Sequence, residues 1–203
     1  MSVTPTLYAT AVTQYDFGGT DAWLTDTDAL GPEDTTVAQA KLGPPAGSGN
    51  FYSSYLELQT FKDAGANTLA TLIPTGSTID GVEMRFKRLA QEPGTPIGMT
   101  MQDFSIMMLI GGTAGESGDE KAVGGDWPAS LTWSSWYGGP TDKWGNTLTR
   151  ATVIAANFGV AICCTNVNAD VGEIDGQVDS VEMLVYYTPP AGSPQRTLVG
   201  CGT

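Results

Sequence analysis

The sequence contains no histidine among its 203 residues. This absence excludes the Ser-His-Asp and Cys-His arrangements of nucleophilic enzymes, and it removes the imidazole ligand that zinc sites use. A phosphate-binding loop of the Gly-x-x-x-x-Gly-Lys type is also missing. Composition does not exclude two catalytic carboxylates among 22 acidic residues. However, pairs such as Asp80 with Glu83 occupy ordinary outward positions of predicted strands. We therefore predict a protein that is not an enzyme.

Cysteines and basic residues are also few. Cys163 and Cys164 are neighbours whose side chains point to opposite faces of a strand, and Cys201 makes the count odd, so we expect reduced thiols and no disulfide framework. Nine Lys and Arg stand against 22 Asp and Glu, which gives a net charge of −13. Such a chain is repelled by nucleic acid and by anionic membranes. The acidity serves either solubility or docking onto a basic partner, and solubility is the simpler interpretation.

Long apolar runs are absent as well. No stretch approaches the ~20 apolar residues of a membrane helix. No basic and apolar leader follows Met1, so we expect neither a membrane span nor an export signal.

Glycine and short alternating segments dominate what is present. The 26 Gly and 12 Pro disfavour long helices. Alternation of apolar and polar residues predicts strands at residues 6–12, 51–61, 78–89, 103–110, 131–137, 158–165 and 177–188. In the fourth of these, the alternation places Phe104 with Ile106 and Met108 on one face. Helix is expected only around residues 149–156, and residues 36–41 are ambiguous.

These segments predict an all-β fold, a two-sheet antiparallel sandwich of jelly-roll type with about eight strands and little helix. One domain is expected over residues 1–188, with an N-terminal arm at residues 1–5 and an extended C-terminal arm at residues 189–203. Residues 43–50 and 111–125 are Gly-rich and predict surface loops.

Two acidic clusters raise the question of a calcium site, which needs converging oxygen ligands. Neither has the full EF-hand loop pattern, and solvated acids of hairpins are the simpler interpretation. The clusters are Asp21, Asp26 and Asp28, and Asp170, Glu173 and Asp175. We predict no metal and no cofactor.

Aromatic residues concentrate between Trp127 and Trp144. Exposed rings beside polar groups are typical of glycan platforms, so Trp136, Tyr137 and Trp144 are candidate contacts for a glycan or a partner protein. The simpler alternative places Trp133 in the core and uses Trp136 and Trp144 to anchor the loop that follows Tyr137.

Basic residues cluster once, at Arg85, Lys87 and Arg88. The cluster is a candidate charge contact between subunits, and solvent exposure is the simpler alternative.

Several stretches in order resemble a β-sandwich module of structural proteins in tailed-bacteriophage virions, over most of the chain. They are Asp21-Ala-Trp-Leu, Thr27-Asp-Ala-Leu, Ser54-Tyr-Leu-Glu-Leu, Ile73-Pro-Thr-Gly-Ser-Thr-Ile-Asp-Gly-Val-Glu-Met, Asp126-Trp-Pro, Tyr137-Gly-Gly-Pro-Thr-Asp-Lys-Trp-Gly, Asn157-Phe-Gly-Val-Ala and Val178-Asp-Ser-Val-Glu-Met-Leu-Val-Tyr-Tyr-Thr. The string that begins at Tyr137 and the terminal Val-Tyr-Tyr-Thr are the most specific parts.

This resemblance implies a virion location after assembly in the host cytoplasm, and a capsid decoration (cement) protein that stabilises the assembled shell. The expected partners are the major capsid protein and further copies of the chain in a homotrimer, with no nucleic acid and no membrane. The alternative function is a carbohydrate- or receptor-binding module of a phage tail or fibre.

Overall fold

A computed structural model describes residues 1–18, 20–43, 52–92, 100–112, 116–167 and 173–192. In these residues the strands are β1 (Ser2–Val3), β2 (Leu7–Tyr8), β3 (Ala11–Tyr15), β4 (Trp23–Leu24), β5 (Ala38–Leu42), β6 (Tyr55–Gln59), β7 (Lys62–Asp63), β8 (Thr78–Gln91), β9 (Met101–Leu109), β10 (Glu116–Ser117), β11 (Thr132–Trp133), β12 (Tyr137–Gly139), β13 (Gly159–Asn166) and β14 (Ile174–Thr188). The helices are single turns: a 3₁₀ turn at Asp26–Ala29, α1 (Leu69–Leu72) and α2 (Arg150–Val153).

The strands form two antiparallel sheets that face each other across one apolar core. The small sheet has the order β10-β9-β13-β6-β3, and the large sheet contains the other nine strands around the pair β8 and β14. The prediction of a two-sheet antiparallel sandwich with little helix is confirmed. The described residues contain 14 strands, more than the eight or so that were predicted, and six of them have only two residues.

Strand β8 positions the large sheet because it pairs with β14 over almost its whole length. Val82, Met84 and Phe86 are fully buried, while Arg85 and Lys87 alternate with them on the outer face. The strand predicted at residues 78–89 is therefore confirmed. Strand β14 ends at Thr188, directly before two prolines that cannot donate ladder hydrogen bonds.

A β-bulge in the small sheet reverses part of the predicted alternation. Cys163 pairs with Ser105 and Cys164 pairs with Asp103, so Phe104 has no residue opposite it on β13. The extra residue lets Phe104 point outward with 40% of its surface exposed, while Asp103 turns into the core. The prediction that put Phe104 on the face of Ile106 was wrong.

Some predicted segments are divided or paired differently. Residues 6–12 pass from β2 in the large sheet to β3 in the small one, and residues 131–137 contain β11 and the start of β12. The predicted loop at residues 111–125 includes the edge strand β10, and the ambiguous residues 36–41 are largely β5. The first residues pair with β14, where Ser2 lies opposite Tyr187, so they form part of the large sheet. Most of the predicted C-terminal arm, residues 193–203, lies outside the described residues.

The thiols of Cys163 and Cys164 are free and buried, and Cys201 lies outside the described residues. Burial raises the pKa of Cys163 to about 12, so its thiol is protonated at neutral pH. Its Sγ donates to the Ser53 carbonyl at 3.0 Å, which gives the group a role in packing. No helix in the described part of the chain is long and apolar enough to cross a membrane.

Candidate binding surface on the small sheet

Five aromatic side chains meet on the outer surface of the small sheet, and we call them the aromatic face: Tyr15, Phe17, Tyr52, Tyr55 and Phe104. The rings of Tyr15 and Tyr55 are stacked with centroids 6.5 Å apart. Phe17 lies 5.2 Å from Tyr55 and 6.3 Å from Phe104. Tyr52 lies 4.2 Å from Phe104, which closes the cluster. Three of these centroid distances fall in the range of attractive aromatic pairs, about 4.5–7 Å, and that of Tyr52 and Phe104 is slightly shorter.

Each ring is placed by local backbone structure. Tyr15 ends β3 directly opposite Tyr55 on β6, so their rings lie on one side of the sheet. Phe17 follows in a bend where Asp16 Oδ1 accepts hydrogen bonds from the Gly18 N–H at 2.8 Å. Phe104 reaches the cluster through the bulge described above.

The aromatic face is partly open to solvent. Phe17 and Phe104 each expose 40% of their surface, and the three tyrosines are half-buried. Clustered exposed apolar side chains mark interaction sites more often than scattered ones do, and aromatic residues are enriched at the centres of protein interfaces.

Carboxylates continue this surface toward β10. Glu57 is fully buried, and it accepts a hydrogen bond from Thr13 Oγ1 at 2.6 Å. Burial and the negative charge of Glu57 raise the pKa of Glu116, which lies on β10. Glu120 accepts from the Ile106 N–H at 2.6 Å and from the Ser105 hydroxyl, which in turn accepts from the Tyr55 hydroxyl at 2.9 Å.

The three aromatic residues that the sequence singled out are not brought together on an open surface. Trp144 is fully buried and donates its indole N–H to the Val82 carbonyl at 3.0 Å. Tyr137 is 5% exposed, whereas Trp136 is 36% exposed. Trp144 therefore anchors the loop after Tyr137, as the simpler interpretation proposed, and neither Tyr137 nor Trp144 presents a ring to solvent. Trp133 is half-buried and is not part of the core cluster.

The loop after Tyr137 owes its shape to backbone constraints. Gly138 has φ +83°, and a Cβ there would lie 2.3 Å from the Val82 carbonyl oxygen. The Val82 N–H donates to the Asp142 carbonyl at 2.9 Å, and the Trp144 N–H donates to Asp142 Oδ1 at 2.7 Å. The segment that begins at Tyr137 thus forms a tight loop held against β8, and its residues stabilise the fold.

The predicted basic cluster forms ion pairs within the chain. Arg85 contacts Glu182 at 2.7 Å, and its guanidinium lies 4.4 Å from the ring centroid of Trp133 and 4.7 Å from that of Trp136. Lys87 pairs with Glu33 and, at 3.3 Å, with the buried Asp179. A contact of this cluster with a neighbouring copy stays a prediction.

Arg88 belongs to a buried network that the sequence did not indicate. Its guanidinium crosses from β8 to Asp103 on β9, which joins the two sheets by an ion pair. Asp103 Oδ2 accepts from the Tyr137 hydroxyl at 2.7 Å, and Oδ1 accepts from the Trp127 indole N–H at 2.8 Å. Burial and the charge of Asp103 raise the pKa of Tyr137, so the hydroxyl remains a donor. No sequence signal marks Asp103, because the bulge that turns it inward depends on strand pairing.

In the described residues, no group of three or more acidic, cysteine or histidine side chains is arranged to hold a metal ion. Asp170, one member of the second predicted acidic cluster, lies outside those residues.

No family model matches the sequence, and no curated protein matches it either. Among solved structures, a chain from the structure of infectious bursal disease virus Gt strain is similar over 92% of this chain, at 8% identity and a TM-score of 0.31. This chain covers 33% of that chain's length. Such a TM-score is too low to indicate a shared fold, so the match gives no information about function. The resemblance to tailed-phage structural proteins stays a prediction.

Proposed function

We propose that this protein is a structural component of a tailed-phage virion, a capsid decoration protein that binds the assembled shell from outside and stabilises it. The observation that carries the proposal is the aromatic face, an exposed apolar cluster on a sheet whose other side is packed in the core. A surface of this kind supports attachment to a protein, and the sequence resemblance supports the phage setting.

The mechanism is stabilisation by mass action. A protein that binds only the assembled state lowers the free energy of that state by RT ln(1 + [L]/Kd), which is about 2.7 kcal/mol per site at one hundred times Kd. Repeated over a symmetric shell, a modest affinity per site is sufficient. The proposed partners are the major capsid protein and further copies of the chain in a homotrimer. Sedimentation equilibrium of the purified protein tests the homotrimer directly.

Cosedimentation with expanded capsids of the parent phage tests the proposal. The wild-type protein is expected to pellet with expanded capsids, and not with unassembled capsid protein. Because a chain of charge −13 is expected to use charge attraction, binding should weaken between low and high salt. Failure to bind expanded capsids at any ionic strength would contradict the proposal.

The second candidate function is glycan or receptor binding on a tail or fibre, because exposed aromatic rings also form sugar platforms. A glycan array with the wild type, Trp136→Ala and Phe104→Ala separates the two functions. A decoration protein shows no sugar-dependent binding. Loss of glycan binding in Phe104→Ala would assign sugar binding to the aromatic face. Loss of glycan binding in Trp136→Ala would assign it to the surface around Arg85.

A further inference from the structure

Elsewhere in this chain, basic side chains of the chain itself lie over aromatic rings. Arg85 lies over Trp133 and Trp136, Arg88 lies 5.1 Å from the centroid of Phe86, and Lys121 lies 5.9 Å from that of Trp144. Cations are attracted to the face of an aromatic ring when they approach within about 6 Å of its centroid.

The aromatic face is different because no cation of the described residues occupies it. The five strands of the small sheet contain no Lys or Arg, and no cation–π contact involves its five rings in the part of the chain that the structure describes. Arg196 is the one basic residue of the sequence outside those residues.

Carboxylates adjoin the rings on several sides. Asp16 lies between Tyr15 and Phe17 in the chain, and it is exposed. Asp21 donates its backbone N–H to the Tyr52 carbonyl at 3.0 Å, and Asp21 is exposed. Glu120 connects to Tyr55 through the Ser105 hydroxyl. Acidic residues thus lie next to the rings, and the strands of the small sheet supply no basic residue.

We propose that the aromatic face is the docking surface for a protein that presents arginine side chains among apolar ones. A guanidinium stacks on aromatic rings and pairs with carboxylates at the same time, which an ammonium does less well. The partner's arginines stack on the rings of the aromatic face, as Arg85 stacks on aromatic rings at the large sheet. The inference rests on the proposed function for the identity of the partner, the capsid shell, but the chemistry of the surface is independent of it.

Selection from a random peptide display library tests this chemistry with the full-length chain as bait. Selected peptides are expected to be enriched in Arg over Lys, and replacement of Arg by the neutral citrulline should abolish their binding. The double variant Phe17→Ala/Phe104→Ala should bind the selected peptides about tenfold or more weakly, although its net charge is unchanged. Phe17→Arg should weaken binding similarly, because it places a guanidinium of the chain itself among the rings.

The control is Leu24→Ala, which removes an apolar side chain of 47% exposure on the large sheet and should leave binding unchanged. Circular dichroism checks that each variant is folded. The inference is overturned if no peptides are selected, if they lack Arg enrichment, or if the double variant binds them as the wild type does. Sugar binding that depends on Phe17 and Phe104 would also overturn it.

The capsid experiment separates this inference from the proposed function. If the wild type and the double variant bind capsids equally, the protein is a decoration protein that attaches elsewhere, and the inference fails alone. If the wild type selects Arg-rich peptides through these rings but binds no capsid, the surface chemistry stands and the decoration function fails.

Discussion

The strands of the two sheets differ in their content of basic residues. Strands of the large sheet contain five of the nine basic residues: Lys41, Lys62, Arg85, Lys87 and Arg88. Four of these form ion pairs with acids of the same chain. Strands of the small sheet contain none, although Glu57, Asp103 and Glu116 lie on them. Four basic residues of the large sheet are therefore paired with acids of the chain, whereas the strands of the small sheet supply no basic residue to the aromatic face, as a surface for a basic partner requires.

The largest expected effect comes from the ion pair of Arg88 with Asp103, which joins the two sheets. Asp103→Ala leaves the partly buried Arg88 guanidinium without a carboxylate partner. It also removes the acceptor of the hydrogen bonds from Tyr137 and Trp127. We expect a loss of about 3–5 kcal/mol in the free energy of unfolding, measured by urea denaturation. Asp126→Ala, an exposed acid that accepts a hydrogen bond from Gln102, should change it by less than about 0.5 kcal/mol. Equal effects of the two variants would show that the buried network does not hold the sheets together.

The two tryptophans of the predicted glycan platform should separate clearly. Trp144→Ala removes a fully buried ring and the donor to the Val82 carbonyl, and we expect a loss of about 3–5 kcal/mol. Trp136→Ala removes a ring that is 36% exposed and one of two that contact Arg85, and we expect about 1 kcal/mol. Thermal unfolding of both variants measures the difference, and similar losses would contradict this account of the loop.

The internal pairing of the large sheet can be tested at Arg85. Arg85→Met keeps an apolar stem but removes the charge that pairs with Glu182 and lies over two rings, so we expect a loss of about 1–2 kcal/mol. Lys41→Met is the matched control, since its ion pair with Glu173 is 3.7 Å long and exposed, and should cost less than about 0.5 kcal/mol. A double-mutant cycle with Trp133→Ala isolates the ring contact, and a coupling energy near zero would remove it from the account.

The smallest effect is a pH dependence in the small sheet. Because the pKa of Glu116 is raised in the folded protein, the folded state favours the protonated carboxyl. The ionised Glu116 carboxylate destabilises the folded protein. This destabilisation is absent below the ordinary glutamate pKa, grows as the pH rises from there, and is complete above the raised pKa. Glu116→Gln should therefore increase stability at pH 7 relative to the wild type and leave it nearly unchanged at pH 4.

Glu57 supplies the control for this prediction. Since its charge is one cause of the raised pKa, the stabilisation by Glu116→Gln at pH 7 should be smaller in a Glu57→Gln background. A stability difference at Glu116 that is the same at both pH values would contradict the assignment.

The long strands and their faces could be predicted where alternation is uninterrupted. Strand β8, predicted at residues 78–89, follows a period of two from Val82 to Phe86, with its apolar residues buried and its charged residues pointing outward. Alternation failed at Phe104, because one extra residue at a bulge puts Phe104 on the face opposite to Ile106 and turns Asp103 inward. The bulge is set by the register with β13, a partner more than fifty residues away in the chain.

The candidate site was missed for the same kind of reason. Four of its aromatic residues lie in two short segments, and Phe104 comes from a third, so no local window contains the cluster. The sequence instead drew attention to residues 127–144, where aromatic residues are dense along the chain but serve mainly to fix a loop and a buried network.

The sequence by itself determined the all-β class, the long amphipathic strands, the negative charge and the lack of histidine chemistry, since these depend on composition and on period-two patterning. The tertiary structure alone decided that the basic residues of the large sheet pair with acids of the chain, and that the five rings of the aromatic face come together with no cation of the described residues over them. Both outcomes depend on which strands become neighbours and in which register, and strand pairing is a long-range property that residues acquire only when the sheets form.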